Sequence, residues 1–343
     1  MPNRHPTDLR GRPLRNLRLS VTDRCNLRCA YCMPAEEYTW LPKTGLLSFE
    51  ELERVVDAFA LLGVTKLRLT GGEPLLRRDL PDLVARLAAR PGIEDLALTT
   101  NAMRLGELAP ALKRAGLGRL TVSLDTLRPD RFRELTRRDG LEETRAGIAA
   151  ARAAGFEGTK LNTVVMRGFN DDELFDLVDF ARAEDLELRF IEYMDVGGAS
   201  DWRPGDVVSR AEILTRLGER HGPIEDLARP DAAAPAERFR LANGQRIGII
   251  ASTTQPFCGA CDRARLTADG RLFRCLYAAQ GFDVRERVRA GLDVEALAGE
   301  LGALWRARTD RGAEERLAQA DRRPLERDRL AADPHLEMHT RGG

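Results

Sequence analysis

The six cysteines of this chain fall into two triplets, and no other feature constrains the chain as strongly. The spacings are Cys-x3-Cys-x2-Cys and Cys-x2-Cys-x13-Cys, formed by Cys25, Cys29 and Cys32 and by Cys258, Cys261 and Cys275. A four-iron cluster needs four ligands, which are usually thiolates. Three cysteines leave one iron open, and an open coordination position is typical of working rather than structural metal sites. The spacing therefore predicts two [4Fe-4S] clusters, each able to bind a small molecule.

Two other uses of these cysteines compete with clusters. Disulfides would leave one cysteine of each triplet unpaired, and residues 1–16 are rich in Arg and Pro without the apolar run of an export signal. Zinc is the stronger alternative, because three cysteines and one histidine form a common site. However, the four histidines lie far from both triplets in sequence: His5, His221, His335 and His339. The spacing favours clusters over zinc at both triplets.

Composition narrows the class of protein. The 343 residues suit one barrel-like α/β domain of about 200–250 residues with an extension. The 54 basic and 54 acidic residues balance, so a nucleic-acid partner is not implied. No segment approaches the roughly 20 apolar residues that span a bilayer, and we expect a soluble, cytoplasmic protein. Only four basic residues are lysines, so Lys160, inside a predicted strand, indicates a position where a compact ammonium is needed.

Strand-like and helix-like segments alternate through the first two thirds of the chain. Apolar or alternating runs predict strands at 17–21, 66–70, 95–99, 119–124, 160–165 and 187–191. Amphipathic segments predict helices after a capping box at Ser48 and Glu51, and near 79–89, 105–115, 141–154 and 171–183. Six β/α units in alternation predict an α/β fold, a partial (β/α)6 TIM-like barrel with an open side.

The pattern loosens after Asp195. Residues 197–205 and 228–237 are predicted to be a loop and a connector, and 238–250 a hairpin that turns at Asn243-Gly244. A charged helical segment begins at about 282. We place a domain boundary near 222, which divides the chain into a core barrel at 9–222 and an extension at 223–343 that carries the second triplet.

Polar residues follow the predicted strands at their carboxyl ends, where β/α barrels carry their active sites. The first strand leads into the Cys25 loop. The later strands end in or carry Thr70-Gly71-Gly72-Glu73-Pro74, Thr99-Thr100-Asn101, Ser123-Leu124-Asp125, Lys160 with Asn162, and Glu192-Tyr193-Met194. These side chains are expected to converge on one site.

Arginines inside the predicted strands indicate what that site binds. Arg18 and Arg68 are flanked by apolar residues, so an inward-pointing guanidinium needs an anion or a carboxylate partner. A salt bridge to Glu73 or Glu192 is one solution. A polyphosphate is the other, because Arg263 and Arg265 beside the second triplet would add guanidinium forks to the same clamp.

The motifs resemble those of a known family. Cys25-Asn26-Leu27-Arg28-Cys29-Ala30-Tyr31-Cys32 is similar to the signature of the radical S-adenosylmethionine (SAM) superfamily, and Gly71-Gly72-Glu73-Pro74 to its second motif. Together with the second triplet and the terminal Gly342-Gly343, they resemble the GTP 3′,8-cyclases, the A proteins of molybdenum cofactor biosynthesis. The resemblance extends from Arg18 to the terminal glycines.

The resemblance implies roles for particular residues. The first triplet would hold a cluster whose open iron chelates SAM, and the second a cluster that meets the guanine base. SAM would contact Tyr31, Gly72, Ser123 and Met194. GTP would contact Arg18, Arg68, Thr99, Lys160, Arg263, Ala264 and Arg265. The catalytic set would be Cys25, Cys29, Cys32, Arg18 and Lys160.

The resemblance also implies a reaction. An electron from an external donor would cleave SAM to a 5′-deoxyadenosyl radical, which would remove the ribose 3′ hydrogen of GTP. Attack on guanine C8 and a reduction would give (8S)-3′,8-cyclo-7,8-dihydroguanosine 5′-triphosphate. Cyclic pyranopterin monophosphate synthase would be the functional partner, and a homodimer stays open. The Gly-Gly tail either enters the site or is disordered.

Two other functions stay open from the residues alone. One is a radical SAM enzyme that modifies peptides and carries an auxiliary cluster, although such enzymes often have more C-terminal cysteines than this chain. The other is a zinc-stabilised binding module. Asp262 does not fit the pattern easily, because it places an acid beside an anionic cluster, and a salt bridge to Arg263 or Arg265 could relieve this.

Overall fold

Six parallel strands form the centre of the fold. In the computed structural model, which describes residues 5–35, 37–38, 40–229 and 231–342, their order in the sheet follows their order in sequence. They are β1 (Asn16–Ser20), β2 (Lys66–Thr70), β3 (Asp95–Thr100), β4 (Arg119–Ser123), β5 (Lys160–Val165) and β6 (Glu187–Glu192). All six predicted strands are confirmed, with bounds that differ by at most one residue.

Helices connect these strands and cover the outside of the sheet. They are α1 (Phe49–Leu61), α2 (Leu80–Ala88), α3 (Leu105–Arg114), α4 (Pro129–Thr136), α5 (Leu141–Ala153) and α6 (Leu174–Ala183). The predicted capping box starts α1: the Glu51 N–H donates to Ser48 Oγ at 3.2 Å and the Ser48 N–H to the Glu51 carboxylate at 2.8 Å. The predicted partial (β/α)6 barrel is therefore confirmed.

The strands turn their apolar side chains outward and their polar side chains inward. Leu17 and Leu19 of β1 are buried in the core beneath the helices, as are Leu67 and Leu69 of β2. Because side chains alternate along a strand, Arg18 and the other residues between these leucines face the interior of the barrel. The hydrophobic core thus lies between sheet and helices, and the barrel interior is left for polar groups.

The extension continues the sheet at both edges. Its strand β9 (Arg246–Ile250) lies parallel beside β6, and β10 (Arg263–Leu266) lies parallel beside β1. The predicted hairpin is confirmed by β8 (Glu237–Arg240), which pairs antiparallel with β9 across the Asn243-Gly244 turn. The outer strands are β7 (Glu225–Leu227), β11 (Arg271–Phe273) and β12 (Phe282–Asp283). The described residues form one 12-stranded sheet, and the boundary near 222 stays a prediction.

One more helix, α7 (Arg210–His221), lies at the end of the core barrel range. The helices of the extension are α8 (Val284–Arg289), α9 (Val294–Arg306), α10 (Gly312–Leu317), α11 (Arg327–Ala332) and α12 (Met338–Arg341). The sequence predicts the helical character of the last five but misses α7 and also α4, each of which buries only two apolar side chains. No helix among the described residues is both long and apolar enough to cross a membrane.

Glu192 joins the core barrel to the extension. Its side chain is fully buried and accepts hydrogen bonds from the Arg210 N–H at 2.7 Å, the Thr253 N–H at 2.9 Å and the Thr254 N–H at 2.7 Å. Three backbone donors, one at residue 210 in the core barrel range and two in the extension, therefore depend on one carboxylate at the end of β6.

We expect Glu192→Leu to lower the free energy of unfolding by about 1–3 kcal/mol, because it leaves the buried N–H of Thr253 and the partly buried N–H groups of Arg210 and Thr254 without their acceptor. Denaturant unfolding of the cluster-free protein measures this. Glu219→Leu, at an exposed position of α7, is the control and should change the free energy by less than about 0.5 kcal/mol. Equal unfolding midpoints for the two variants would contradict the assigned role.

Candidate active site

The first cysteine triplet lies in the loop that follows β1. The Cys32 N–H donates to the Cys29 carbonyl at 2.9 Å, and the three cysteines line one cavity. α4 supports this loop, because the N–H groups of Arg28 and Ala30 donate to carbonyls at the end of that helix. The cysteines are free and half-buried. Burial raises the pKa of the Cys25 thiol to about 12, so a thiolate here needs a cationic ligand such as cluster iron.

The glycine motif after β2 packs directly against the backbone that precedes Cys25. The Gly72 N–H donates to the Thr22 carbonyl at 3.0 Å. A Cβ at position 72 would lie 2.4 Å from the carbonyl oxygen of Arg24. Glycine is therefore required where the two loops meet, and both loops line the cavity.

The second triplet is assembled from separate parts of the extension. The Cys261 N–H donates to the Cys258 carbonyl at 3.2 Å, and Cys275 follows β11. Backbone N–H groups at the start of α10 face the thiols of Cys258 and Cys275, whose pKa values are nevertheless raised by burial. Burial also acts on Cys261, but Arg263 and Arg308 outweigh it and lower the pKa of that thiol to about 6.

One cavity of about 370 Å³ connects the two triplets. All six cysteines line it, and so do most of the other candidate residues: Arg18, Tyr31, Arg68, Gly72, Thr99, Ser123, Met194, Arg263 and Arg265. Two candidates lie elsewhere. Lys160 lies on the inward face of β5, two residues before Asn162 and so one layer of side chains below the residues that line the cavity. The Ala264 side chain is buried in the hydrophobic core.

Three arginines stand side by side across the inner wall of the cavity. The strand register pairs Arg18 with Arg265 of β10 on one side and with Arg68 of β2 on the other. Like charges directly opposite each other in neighbouring strands repel. Burial and the charges of Arg265, Arg263 and Arg68 lower the pKa of Arg18, and burial lowers the pKa of Arg68 to about 10. None of the three arginines in this row has a salt-bridge partner among the described residues.

The alternative in which Arg18 or Arg68 forms a salt bridge to Glu73 or Glu192 is not found among the described residues. Arg68 instead donates to the hydroxyls of Thr99 at 3.1 Å and Thr121 at 3.0 Å. Glu73 accepts from the Thr100 hydroxyl at 2.7 Å and the Asn101 N–H at 2.8 Å, so it ties the end of β2 to the end of β3. Glu192 instead accepts hydrogen bonds from the backbone N–H groups of Arg210, Thr253 and Thr254.

The C-terminal tail enters the cavity and meets this row. The carbonyl of Gly342 accepts from Arg265 Nη1 at 2.7 Å and from Arg18 Nη1 at 3.2 Å, and the Thr340 carbonyl accepts from Ser20 Oγ at 3.0 Å. Gly342 has φ +66°, and a Cβ there would lie 2.3 Å from Thr70 Cγ2. The prediction that the tail enters the site holds for Gly342, whereas Gly343 lies outside the described residues.

Two acidic residues next to the site have local partners. Asp125 accepts from the Tyr31 hydroxyl at 2.6 Å and the Val164 N–H at 2.8 Å, and burial raises its pKa to about 6. Asp262 accepts from the side chain of Asn16. An amide thus contacts this acid, and the salt bridge to Arg263 or Arg265 that could have relieved it is not found among the described residues.

Four further arginines line the cavity that are not among the predicted site residues: Arg189, Arg274, Arg308 and Arg311. Arg189 faces inward from β6 and pairs with Glu187 at 2.7 Å. The signal for Arg189 is present in the sequence, because it lies between Leu188 and Phe190 as Arg18 lies between leucines. Arg308 follows α9 and contacts Cys261; its sequence neighbourhood gives no signal, since the contact joins distant parts of the chain.

The donor set fits two clusters. Each end of the cavity presents three free thiols, and at the second end backbone N–H groups and guanidinium groups accompany them. Within the ranges that the structure describes, no three His, Cys, Asp or Glu side chains are arranged to hold a single metal ion. A zinc ion and a cluster would use the same thiols, so this geometry alone does not distinguish between them.

Comparison with known proteins matches both parts of the chain. Residues 19–181 match the family described as the Radical SAM superfamily, and residues 186–314 match Molybdenum Cofactor Synthesis C. GTP 3′,8-cyclase 3 of Mycobacterium bovis is 54% identical over 338 residues, which are 97% of this chain and 89% of that protein. The chain belongs to the GTP 3′,8-cyclase family. Relatives with the same name in Acidothermus cellulolyticus and Xanthomonas campestris are 48% and 47% identical, covering 97% and 93% of this chain and 95% of each relative.

Solved structures agree on the fold of this cyclase-family chain. Streptococcus suis SuiB bound to S-adenosylmethionine has a TM-score of 0.58 and 15% identity, covering 90% of this chain and 71% of that one. SuiB has also been solved with a precursor peptide, with a TM-score of 0.58 and 15% identity, covering 89% of this chain and 67% of that one. At this identity the likeness concerns the fold alone. Family membership confirms SAM and [4Fe-4S] clusters as the cofactors, and the two triplets are placed to bind two clusters.

We expect Gly72→Ala to reduce the iron held by the first triplet, because the added methyl group displaces the backbone that leads into Cys25. Iron per chain after anaerobic reconstitution should fall toward half of the wild-type value. Gly106→Ala is the control, since a Cβ there meets nothing within 4 Å. Full iron content together with unchanged SAM affinity in Gly72→Ala would show that the loop contact is not critical.

Proposed function

We propose that this chain converts GTP to (8S)-3′,8-cyclo-7,8-dihydroguanosine 5′-triphosphate, an early step of molybdenum cofactor synthesis. The observation that carries the proposal is a single cavity with a cysteine triplet at each end and a row of arginines between them. A radical source, a second cluster and a polyanion site in one cavity fit the chemistry for which the relatives are named.

The arginine row is proposed to bind the triphosphate. Arg18, Arg68 and Arg265 lie in register. Burial and, to a smaller extent, the charges of neighbouring arginines lower their pKa values, and a triphosphate would stabilise all three guanidinium groups. Lys160 lies below the row, where burial and the charge of Arg189 lower the pKa of its ammonium to about 8. We assign the same ligand to Thr99 and to the segment 263–265, with Ala264 contributing only its backbone.

The wall beside the first triplet is proposed to hold SAM. Gly72 exposes backbone there, Ser123 offers a hydroxyl, Met194 an apolar surface, and Tyr31 is fixed by Asp125. Bound at the first cluster, SAM supplies the radical that takes the ribose 3′ hydrogen. The chain's own contribution is to hold GTP in one orientation between the triplets and to exclude water.

The C-terminal tail is proposed to share donors with the substrate. In the structure the Gly342 carbonyl accepts from Arg18 and Arg265, which are also assigned to the triphosphate. A phosphate oxygen would take over these hydrogen bonds or share them with the tail. Because Thr340, Arg341 and Gly342 are buried, the tail also closes one wall of the site.

The proposal includes partners and a location. The electron for SAM cleavage comes from an external donor, and the product passes to cyclic pyranopterin monophosphate synthase. A cytoplasmic location suits six free cysteines that must stay reduced. The oligomeric state, including a homodimer, is left to measurement.

The deciding experiment incubates cluster-reconstituted protein anaerobically with SAM, a reductant and GTP deuterated at C3′. The product is an isomer of GTP, so chromatography must separate the two before mass spectrometry. We expect a new isomer and transfer of deuterium into 5′-deoxyadenosine. SAM cleavage without change in GTP would keep the radical SAM assignment and reject GTP as substrate, and a precursor peptide would then be the next substrate to test.

GTP affinity is expected to depend on the charge of Lys160. Its lowered pKa, about 8, means that the ammonium is present at pH 7.5 and is lost as the pH rises to 9. The affinity for GTP should fall about five- to tenfold over this range. In Lys160→Arg the fall should be much smaller, because a guanidinium stays charged. Equilibrium dialysis without reductant measures both proteins, and identical pH profiles would exclude Lys160 from the triphosphate site.

A further inference from the structure

Arg308 is a buried cation placed against one ligand of the second triplet. Its Nη1 donates to the Cys261 carbonyl at 2.8 Å, and its Nη2 lies 3.5 Å from the Cys261 sulfur. The side chain is 2% exposed and also lines the cavity. The guanidinium therefore reaches both the backbone and the sulfur of a single cysteine.

The structure holds this guanidinium in place from several sides. It lies over the ring of Trp305, 4.6 Å from the ring centre, and its Nε donates to Asp310 at 3.1 Å. Trp305 in turn donates its indole N–H to the Arg12 carbonyl at 3.0 Å. Asp8 is also buried and lies 3.8 Å from Arg308 Nη1. Together these contacts keep the guanidinium buried beside Cys261.

Arg12 is a second buried arginine at this triplet, and it contacts Cys258 only through the backbone carbonyl. Its Nη1 donates to the Cys258 carbonyl at 3.0 Å and to the Asp310 carbonyl at 2.8 Å, and its Nε to Asp8 at 2.6 Å. Arg12 thus fixes the turn that carries Cys258 and Cys261, whereas Arg308 also reaches a sulfur. Arg12 therefore supports the loop, and Arg308 also places a positive charge beside a cysteine sulfur.

We propose that Arg308 is a positioning residue that sets the reduction potential of the second cluster through its contact with the Cys261 sulfur. Reduction adds one negative charge to a cluster, and a fixed cation or N–H donor at a ligand sulfur stabilises that charge. Arg308 therefore raises the potential and makes the second cluster easier to reduce. Asp310, paired with Arg308, opposes it and limits the rise.

The proposal rests on the cofactor content of the proposed function but not on its substrate. The conversion of GTP ends with the uptake of one electron and one proton by the cyclised radical, and a second cluster of suitable potential can deliver that electron. Its potential can be measured without GTP. A failure of the potential assignment is therefore distinguishable from a failure of the GTP assignment.

The test measures the midpoint potential of the second cluster by EPR-monitored redox titration. The full chain carries Ala at Cys25, Cys29 and Cys32 so that the second cluster alone contributes the signal. Arg308→Gln removes the charge, Arg308→Lys keeps a charge without the fork, and Asp310→Asn removes the opposing acid. Arg306→Gln, at the exposed last residue of α9 and two residues before Arg308, is the matched control. Iron content per chain is determined for each.

We expect a more negative potential in Arg308→Gln, a smaller shift of the same sign in Arg308→Lys, a less negative potential in Asp310→Asn, and no shift in the control, all at unchanged iron content. Unchanged potentials in both Arg308 variants would overturn the proposal. Loss of iron in both variants would overturn it as well, because Arg308 would then retain the cluster rather than tune it. Opposite shifts in Arg308→Gln and Asp310→Asn cannot arise from a general loss of structure.

Discussion

The active site of this chain depends on arginines that stand side by side and have no acidic partner among the residues that the structure describes. The register of β10, β1 and β2 places Arg265, Arg18 and Arg68 in one row. In β1 and β2, the leucines before and after each arginine are buried under the helices. Turning the arginines outward would expose or misplace those leucines, so the hydrophobic core forces the cations inward. Peptide carbonyls of the tail and threonine hydroxyls satisfy some donors, but none of them carries the negative charge that a bound polyanion brings.

The two family matches meet in one continuous sheet. The first match ends at residue 181 and the second begins at residue 186. Two strands of the second region pair with strands of the first: β6 lies beside β5, and β10 lies beside β1. Each edge of the central barrel is therefore covered by a strand from the extension, and Glu192 binds backbone donors of the extension at one of these edges. The cavity between the triplets exists because the two parts share the sheet.

Local sequence patterns predict the elements that carry the site but not the contacts between them. Alternation in the strands predicts that Arg18 and Arg68 face inward, and the strand ends predict where the site lies. Their partners depend on register and on distant segments, so the sequence alone leaves a salt bridge to Glu73 or Glu192 open beside a bound anion, and only the structure excludes it for the described residues. Arg189 has the same strand pattern as Arg18 and could have been selected. Arg308 could not, because its role arises from a contact with a cysteine 47 residues away in the chain.

The second triplet is held by the two ends of the chain. Arg12 and Asp8 lie near the amino terminus, and Arg308 and the start of α10 lie about 300 residues later; both groups contact the Cys258–Cys261 turn. During synthesis on the ribosome, the first triplet and its glycine loop emerge early, whereas the second pocket lacks half of its support until α10 has been made. Joining such distant segments carries a loop-closure cost. The supporting contacts of the second triplet are therefore complete only after α10 has been made, well after the first triplet and its glycine loop.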